Sequence, residues 1–234
     1  MKRGELPISG LTRFSTVDYP GYLAAVVFCP GCPWRCRYCH NPELQSARAT
    51  PLLAWREVTA FLQRRRGCLD AVVFSGGEPT LHAGLLAAMR EVRAMGFRVG
   101  LHSAGIYPSR LARLLPLIDW VGFDIKAPFD QYARITGVAG SGEKALAAAH
   151  LVLDSGVDYE FRTTLHPALL SARDVEKIAQ ELTALGARRY ALQSFRATGC
   201  ADAALIRATA PMPELAALAE TLARRFKHFE LRAA

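Results

Sequence analysis

Leu23-Ala24-Ala25-Val26-Val27-Phe28 is a short, wholly apolar run, and it ends on a loop dense in cysteine, Cys29-Pro30-Gly31-Cys32-Pro33-Trp34-Arg35-Cys36-Arg37-Tyr38-Cys39-His40-Asn41. An apolar run without polar alternation reads as a strand buried on both faces, the mark of a parallel sheet covered by helices. The pattern recurs. Ala71-Val72-Val73-Phe74 leads into Ser75-Gly76-Gly77-Glu78-Pro79, and strands are predicted over Phe97–Leu101, Asp119–Ile125, Tyr159–Leu165 and Arg189–Ser194. Helical patterns fall between them, over Ala54–Arg66, Leu81–Met95, Pro108–Leu117, Gly142–Ser155 and Ala172–Leu185. A Pro211–Pro213 break precedes a last helix, Glu214–Phe226, and a terminal strand over 229–232. Six such units imply an α/β fold, an incomplete parallel (βα)6 barrel rather than a closed eightfold one, in a single domain spanning 1–234.

In parallel α/β architectures ligands bind beyond the C-terminal strand ends. The candidate chemistry falls there. The cysteine loop 29–41 follows the first strand and Gly76-Gly77-Glu78-Pro79 the second. His102-Ser103 follows the third, Asp124 and Lys126 end the fourth, and Thr163-Thr164 and His166 end the fifth. Polar groups are therefore expected to converge on one rim.

Bulk properties narrow the class. The chain has 234 residues at 51% hydrophobic composition, which suits one sizeable core. No apolar run approaches the ~18 residues of a membrane span, and Met1–Gly10 lacks the apolar stretch of a secretory signal. A soluble, cytoplasmic protein is expected. Net charge is +8, with 24 Arg against 5 Lys, scattered mostly through helical patterns. Solvated helix faces account for them; an electropositive surface that docks an acidic partner is the sharper reading. Aromatic and basic residues do not interleave as on a nucleic-acid platform.

Four of the six cysteines, Cys29, Cys32, Cys36 and Cys39, fall within eleven residues, a metal-site pattern rather than a disulfide set. Cys68 and Cys200 read as packing residues. Cys32-x3-Cys36-x2-Cys39 offers three thiolates on one loop. A four-iron cluster normally takes four cysteines, so three leave one iron open for chemistry. Zinc is the alternative, because Cys29-x2-Cys32 and Cys36-x2-Cys39 form two pairs. Only three residues separate those pairs, whereas zinc knuckles usually stand ~15–20 apart. Cys29 ends an apolar strand, so its side chain is expected to face away from the loop. The glycines of Gly76-Gly77-Glu78-Pro79 permit close backbone approach to a ligand, and its carboxylate can accept from an ammonium group; a tight turn is the plain alternative. Alternation puts Asp124 and Lys126 of Asp124-Ile125-Lys126 on one face, an anion beside a cation, suited to a zwitterionic ligand or to a mutual ion pair. His82, His150 and His228 belong to no constellation.

The cysteine spacing, the aromatic Tyr38 before the third cysteine and the following Gly76-Gly77-Glu78-Pro79 closely resemble the radical S-adenosylmethionine superfamily, over essentially the whole chain. Thr16-Val17-Asp18-Tyr19-Pro20-Gly21, the run Tyr38-Cys39-His40-Asn41-Pro42-Glu43-Leu44, and Asp124-Ile125-Lys126 with Tyr132 and Thr136-Gly137 resemble its glycyl-radical activating enzymes, those serving anaerobic ribonucleoside-triphosphate reductase above all.

The resemblance implies a [4Fe–4S] cluster on Cys32, Cys36 and Cys39. Its open iron takes the amino and carboxylate groups of S-adenosylmethionine. One electron then cleaves the sulfonium to methionine and a 5′-deoxyadenosyl radical, which takes a hydrogen atom from a glycine of a partner protein. By the same resemblance Tyr38 and His40 line the adenine side. Gly76, Gly77 and Glu78 hold the amino group, and Ser103, Asp124 and Lys126 approach the carboxylate or ribose. The implied partners are a large glycyl-radical enzyme, an anaerobic ribonucleotide reductase, and a flavodoxin- or ferredoxin-like electron donor.

There are two departures. The histidine that some activating enzymes carry at the end of the sixth strand is missing from Leu192-Gln193-Ser194-Phe195-Arg196, so its contact is absent or is supplied by Gln193. The eight-cysteine ferredoxin insertion of several relatives is also missing, since Thr50–Ala54 leads directly into a helix. A radical enzyme acting on a small molecule, as in deazapurine synthesis, and a non-catalytic metal-binding or electron-transfer module are the other readings.

Overall fold

Eight strands line up in sequence order, β1-β2-β3-β4-β5-β6-β7-β8, in one sheet. The computed structural model describes residues 5–46, 52–208 and 212–233. The strands are β1 Gly10–Ser15, β2 Ala24–Cys29, β3 Ala71–Gly76, β4 Arg98–Ser103, β5 Trp120–Asp124, β6 Asp158–Leu165, β7 Arg189–Ser194 and β8 His228–Arg232. The helices are α1 Trp55–Gln63, α2 Leu85–Ala94, α3 Pro108–Leu114, α4 Tyr132–Thr136, α5 Ser141–Ser155, α6 Ala172–Ala184, α7 Ala203–Arg207 and α8 Leu215–Arg225. Strands β2 to β8 are parallel throughout, and β1 pairs antiparallel with β2. The incomplete α/β barrel expected from the sequence is present, and β1 and β8 remain its two unjoined ends among the described residues.

Several elements differ from expectation, and the short helices α4 and α7 fall where no helix was predicted. β1 lies in a stretch where no strand was predicted, because Gly-Leu-Thr-Arg-Phe-Ser carries neither a wholly apolar run nor clean alternation. α2 begins at Leu85 rather than Leu81, since Pro79–Leu81 closes instead into a 3-10 turn. Residues 50 and 51 of the Thr50–Ala54 connection, residues 1–4 of the N-terminal segment and Pro211 of the Pro211–Pro213 break lie outside the described residues. Among the described residues, no helix is long and apolar enough to cross a membrane.

Alternation along the strands sorts side chains between two faces. Ala25, Val27, Val72, Phe74, Val99, Leu101, Val121 and Phe123 join the helices in one large core. α6 shows how a helix docks there. Ser171 caps it, accepting from the Asp174 N–H at 3.2 Å. Val175, Ile178, Ala179 and Leu182 are buried at the spacing of one helix face. Burial of each larger side chain contributes ~1.5–3 kcal/mol against its ordering entropy.

The inner face holds Ala24, Val26, Ala71, Val73 and Trp120 around Tyr19, which reaches in from the β1–β2 hairpin. Tyr19 stacks on Trp120 at 5.1 Å between ring centres. Gly100 makes room for it, because a Cβ there would lie 2.9 Å from Val73 Cγ2 and 3.2 Å from Tyr19 Cδ1. Ala24, Ala71 and Trp120 are the first residues of their strands. The hairpin therefore plugs the N-terminal end of the barrel and leaves the polar groups at the C-terminal end.

Candidate functional site

The cysteine loop leaves β2 and is fixed by the backbone of its neighbours. Gly31 N–H donates to Leu44 O at 2.6 Å, and Cys32 N–H to Gln45 O at 3.1 Å. The Arg35 N–H donates to Thr136 O at 2.8 Å, tying the loop to α4. Trp34 is 1% exposed and packs edge-on against Tyr132, which is also 1% exposed. The side chain of His82 anchors the start of the loop, donating to Pro30 O at 2.6 Å. Sequence spacing gave His82 no role; only the fold brings it to the loop.

Gly76-Gly77-Glu78 is stitched to this loop. Gly77 N–H donates to Cys29 O and Glu78 N–H to Gly31 O, both at 2.8 Å. Gly76 has φ +110°, and a Cβ there would lie 2.5 Å from Cys29 O. The glycines are therefore required by the approach of one loop to another. The Glu78 carboxylate, expected to accept from an ammonium group, is already engaged by protein donors. Glu78 is 1% exposed. It accepts from Thr80 Oγ1 at 2.6 Å, Thr80 N–H at 3.2 Å, Ser103 Oγ at 2.9 Å and Ala104 N–H at 3.0 Å. Burial pushes its carboxyl above the ordinary value, and these donors oppose the shift. Ser103, expected as a rim hydroxyl, is 4% exposed and is engaged by Glu78 and by the Gly105 N–H. Both side chains set the shape of the loop from beneath.

Asp124 and Lys126 do meet, at 3.4 Å. Burial alone would raise the Asp124 carboxyl, but Lys126, Arg162 and His102 outweigh it and hold the group below the usual carboxylate range. Burial would lower Lys126, yet Tyr38, Asp124 and Cys36 raise it well above its ordinary value. Its ammonium sits over the Tyr38 ring at 5.5 Å. The Tyr132 hydroxyl accepts from the Lys126 N–H at 3.0 Å and donates to Asp124 O at 3.3 Å. These contacts seat the Asp124-Ile125-Lys126 segment.

Arg162 was missed in the sequence. It is 8% exposed, lies 3.7 Å from Asp124 and stacks over Trp120 at 5.5 Å. Gly122 provides the room, since a Cβ there would lie 2.0 Å from Arg162 Nη2. The signal was available, for Glu160 and Arg162 alternate with apolar Phe161 within β6 and mark an inner polar face.

His40 lines the other side of the loop. It stacks on Phe195 at 5.7 Å and donates to Arg196 O at 3.1 Å. Burial, then the nearby Arg196 charge, lower its pKa. Gly199 packs against it, with a virtual Cβ 2.5 Å from His40 O. Gln193 accepts from Arg232 at 3.3 Å. Two residues expected on the rim turn elsewhere. Thr163 is fully buried and donates to Ile125 O, and His166 is fully buried and donates to Leu205 O.

The donor set distinguishes the four clustered cysteines. Cys29 is fully buried among the core residues beneath the helices, as expected for a strand end. Cys32 and Cys39 are half-buried, and Cys36 is 9% exposed on the same loop. Burial pushes the Cys32 thiol up to about 12 and raises Cys36, while the Lys126 charge opposes both shifts. Iron would therefore displace protons on binding. Among the described residues no three His, Cys, Asp or Glu side chains gather around one metal ion. A tetrahedral zinc on Cys29, Cys32, Cys36 and Cys39 has no support, whereas three thiols on one loop are the donor type that a four-iron cluster takes, one to each iron.

Comparison with known proteins identifies the family. The family model for the Radical SAM superfamily matches residues 26–182. A protein of Methanocaldococcus jannaschii, provisionally named a glycyl-radical enzyme activating enzyme, is 34% identical over 197 residues, covering 80% of this chain and 79% of the relative. A pyruvate formate-lyase-activating enzyme of Streptococcus mutans is 29% identical over 210 residues, covering 82% and 78%. Among solved structures, Streptococcus suis SuiB superposes with a TM-score of 0.66 at 13% identity, over 88% of this chain and 47% of that longer one. This chain belongs to the radical SAM superfamily and is a radical SAM enzyme, working with a [4Fe–4S] cluster and S-adenosylmethionine.

Proposed function

We propose that this enzyme generates a glycyl radical on a large partner enzyme, and that the partner is an anaerobic ribonucleoside-triphosphate reductase. Cys32, Cys36 and Cys39 hold the cluster, and Cys29 does not. The backbone of Gly76–Glu78 receives the methionine amino group of S-adenosylmethionine, held in shape by the buried Glu78–Ser103–Thr80 contacts. Lys126, with Asp124 beside it, meets the carboxylate and ribose, and Tyr38 and His40 flank the adenine. When bound, the cluster and S-adenosylmethionine supply an electron and the carbon-centred radical that removes a hydrogen atom. The protein's share is orientation and exclusion of water, with Tyr19 and Trp120 closing the far end of the barrel.

The observation that carries a protein substrate is the open sheet. β1 and β8 do not pair among the described residues, so the barrel wall has a gap through which a loop of a partner can enter. An enzyme for a small molecule is better served by a closed, polar pocket. Relatives named as activating enzymes along most of the chain support the same reading. The test is to incubate reconstituted protein with S-adenosylmethionine, dithionite and an anaerobic ribonucleotide reductase, and to record the electron paramagnetic resonance spectrum. A glycyl doublet is expected. Cleavage of S-adenosylmethionine without the doublet would overturn the partner assignment while leaving the radical chemistry intact.

A further inference from the structure

We infer that the solvent face of the cysteine loop, carrying Arg35, Arg37 and Arg196, is the docking surface for an acidic one-electron carrier protein. This rests on the proposed cluster at Cys32, Cys36 and Cys39. The loop alternates strictly: Pro33, Arg35 and Arg37 are exposed, while Trp34, Cys36 and Tyr38 between them are buried. Of the buried set, Tyr38 lies with its ring centre 5.5 Å from the Lys126 ammonium, whose charge also reaches Cys36, and Trp34 packs on Tyr132. The exposed set forms the outside of the same short segment. The exposed Arg35 and Arg37 thus flank the buried Cys36 as its immediate neighbours in the chain.

The loop face is rigid and basic. Arg35 donates to the Cys32 and Trp34 carbonyls and Arg37 pairs with Asp202 at 2.8 Å, leaving the Arg37 side chain 55% exposed. Arg196 is exposed next to His40, and Arg134 of the adjoining α4 is 47% exposed beside Asp174. Arg35 and Arg196 have no carboxylate partner among the described residues. With a net charge of +8 behind it, this patch attracts a negatively charged partner. The step is a transfer of one electron: the carrier is oxidised by one electron, the cluster is reduced by one, and no atom moves. Hydrogen-atom abstraction takes place on the inner face, so the two partners do not compete for one surface.

The test mixes cluster-loaded protein anaerobically with reduced flavodoxin of net negative charge. Cluster bleaching is followed by stopped flow, and the affinity for flavodoxin is measured separately on loaded and cluster-free protein. Arg37→Glu/Arg196→Glu is compared with Arg224→Glu/Arg225→Glu, which makes the same charge change in the last turn of α8. The loop pair is expected to slow reduction by flavodoxin about tenfold or more and to weaken its binding similarly, with the effect fading at high salt. The α8 pair should stay within about twofold of wild type, and dithionite should reduce all three proteins equally.

Equal slowing with dithionite would make the arginines structural, and an equal effect of the α8 pair would reduce the patch to bulk charge. Wild-type reduction by flavodoxin alongside lost glycyl-radical formation would assign the face to the radical-bearing partner. Each of these outcomes overturns the inference. Failure of dithionite-reduced wild type to cleave S-adenosylmethionine would instead sink the proposed function, with the docking result still readable.

Discussion

Gly77 is where the cysteine loop and the second-strand loop come closest, and Gly77→Ala tests whether that closeness holds the site together. A Cβ there would lie 2.3 Å from Gly31 O, 2.7 Å from Gly31 C and 2.9 Å from Leu44 O. A comfortable carbon–oxygen contact is ~3.3–3.6 Å, so the loops must part by about 1 Å. All three atoms are backbone, and no side chain can swing aside. Parting breaks the Glu78 N–H bond to Gly31 O at 2.8 Å and strains the Gly31 N–H bond to Leu44 O at 2.6 Å. Two hydrogen bonds at ~0.5–1.5 kcal/mol each, with ~1–3 kcal/mol for overpacking, give a loss of about 2–6 kcal/mol. That is a large part of an ordinary domain's stability. Urea unfolding of the cluster-free protein measures the loss, and iron and sulfide per chain after reconstitution measure the damage to the loop. Gly186→Ala is the control, with φ +86° but nothing within 4 Å of a Cβ. It should cost ~1–2 kcal/mol and leave iron loading unchanged. A Gly77→Ala protein within 1 kcal/mol of wild type, carrying full iron, would refute the reasoning.

Cys29→Ala should leave the iron content unchanged and cost about 1 kcal/mol of packing, measured by iron assay and urea melts; lost iron would restore Cys29 as a ligand. Lys126→Met should weaken S-adenosylmethionine binding by roughly 10–150-fold in equilibrium dialysis, the equivalent of one charge-assisted hydrogen bond of ~1.5–3 kcal/mol. Glu78→Gln points an NH2 group at either the Ala104 N–H or the Thr80 and Ser103 donors, which should cost ~1–3 kcal/mol in unfolding experiments without removing any thiol. His102 donates to Asp18 O at 2.9 Å and accepts from Ser75 at 3.1 Å. Burial, with the Arg162 charge, lowers its pKa from 6.5 to about 4. The folded state therefore binds fewer protons than the unfolded state between those values. Stability should be complete above pH ~6.5 and fall by up to about 3 kcal/mol as pH drops toward 4, a slope that His102→Gln should flatten.

The sequence made the parallel core legible because strands such as Ala71–Phe74 and Leu23–Phe28 are apolar on both faces, and no other arrangement buries them. It did not reveal β1, whose Phe14 is 57% exposed and whose pairing depends on β2 rather than on its own pattern. The thiol loop was legible as a spacing motif, and the meeting of Asp124 and Lys126 was readable because alternation puts both side chains on one face. The surroundings of Glu78 and Ser103 were not legible, for a physical reason. A motif shows which residues are adjacent in sequence, but not that the carboxylate turns inward to four donors, two on Thr80 of its own turn and two on the Ser103–Ala104 segment. His82 reaches the site across strands, by a contact with no sequence spacing to announce it, whereas Arg162 was marked by the alternation in β6 and was passed over.

The most direct measurement follows the hydrogen atom itself. A glycyl-radical partner is prepared with α,α-dideuterated glycine and incubated with the reduced enzyme and unlabelled S-adenosylmethionine, and the 5′-deoxyadenosine formed is weighed by mass spectrometry. The account predicts one deuterium in the product for each glycyl radical formed. Product that stays unlabelled while S-adenosylmethionine is consumed would contradict it.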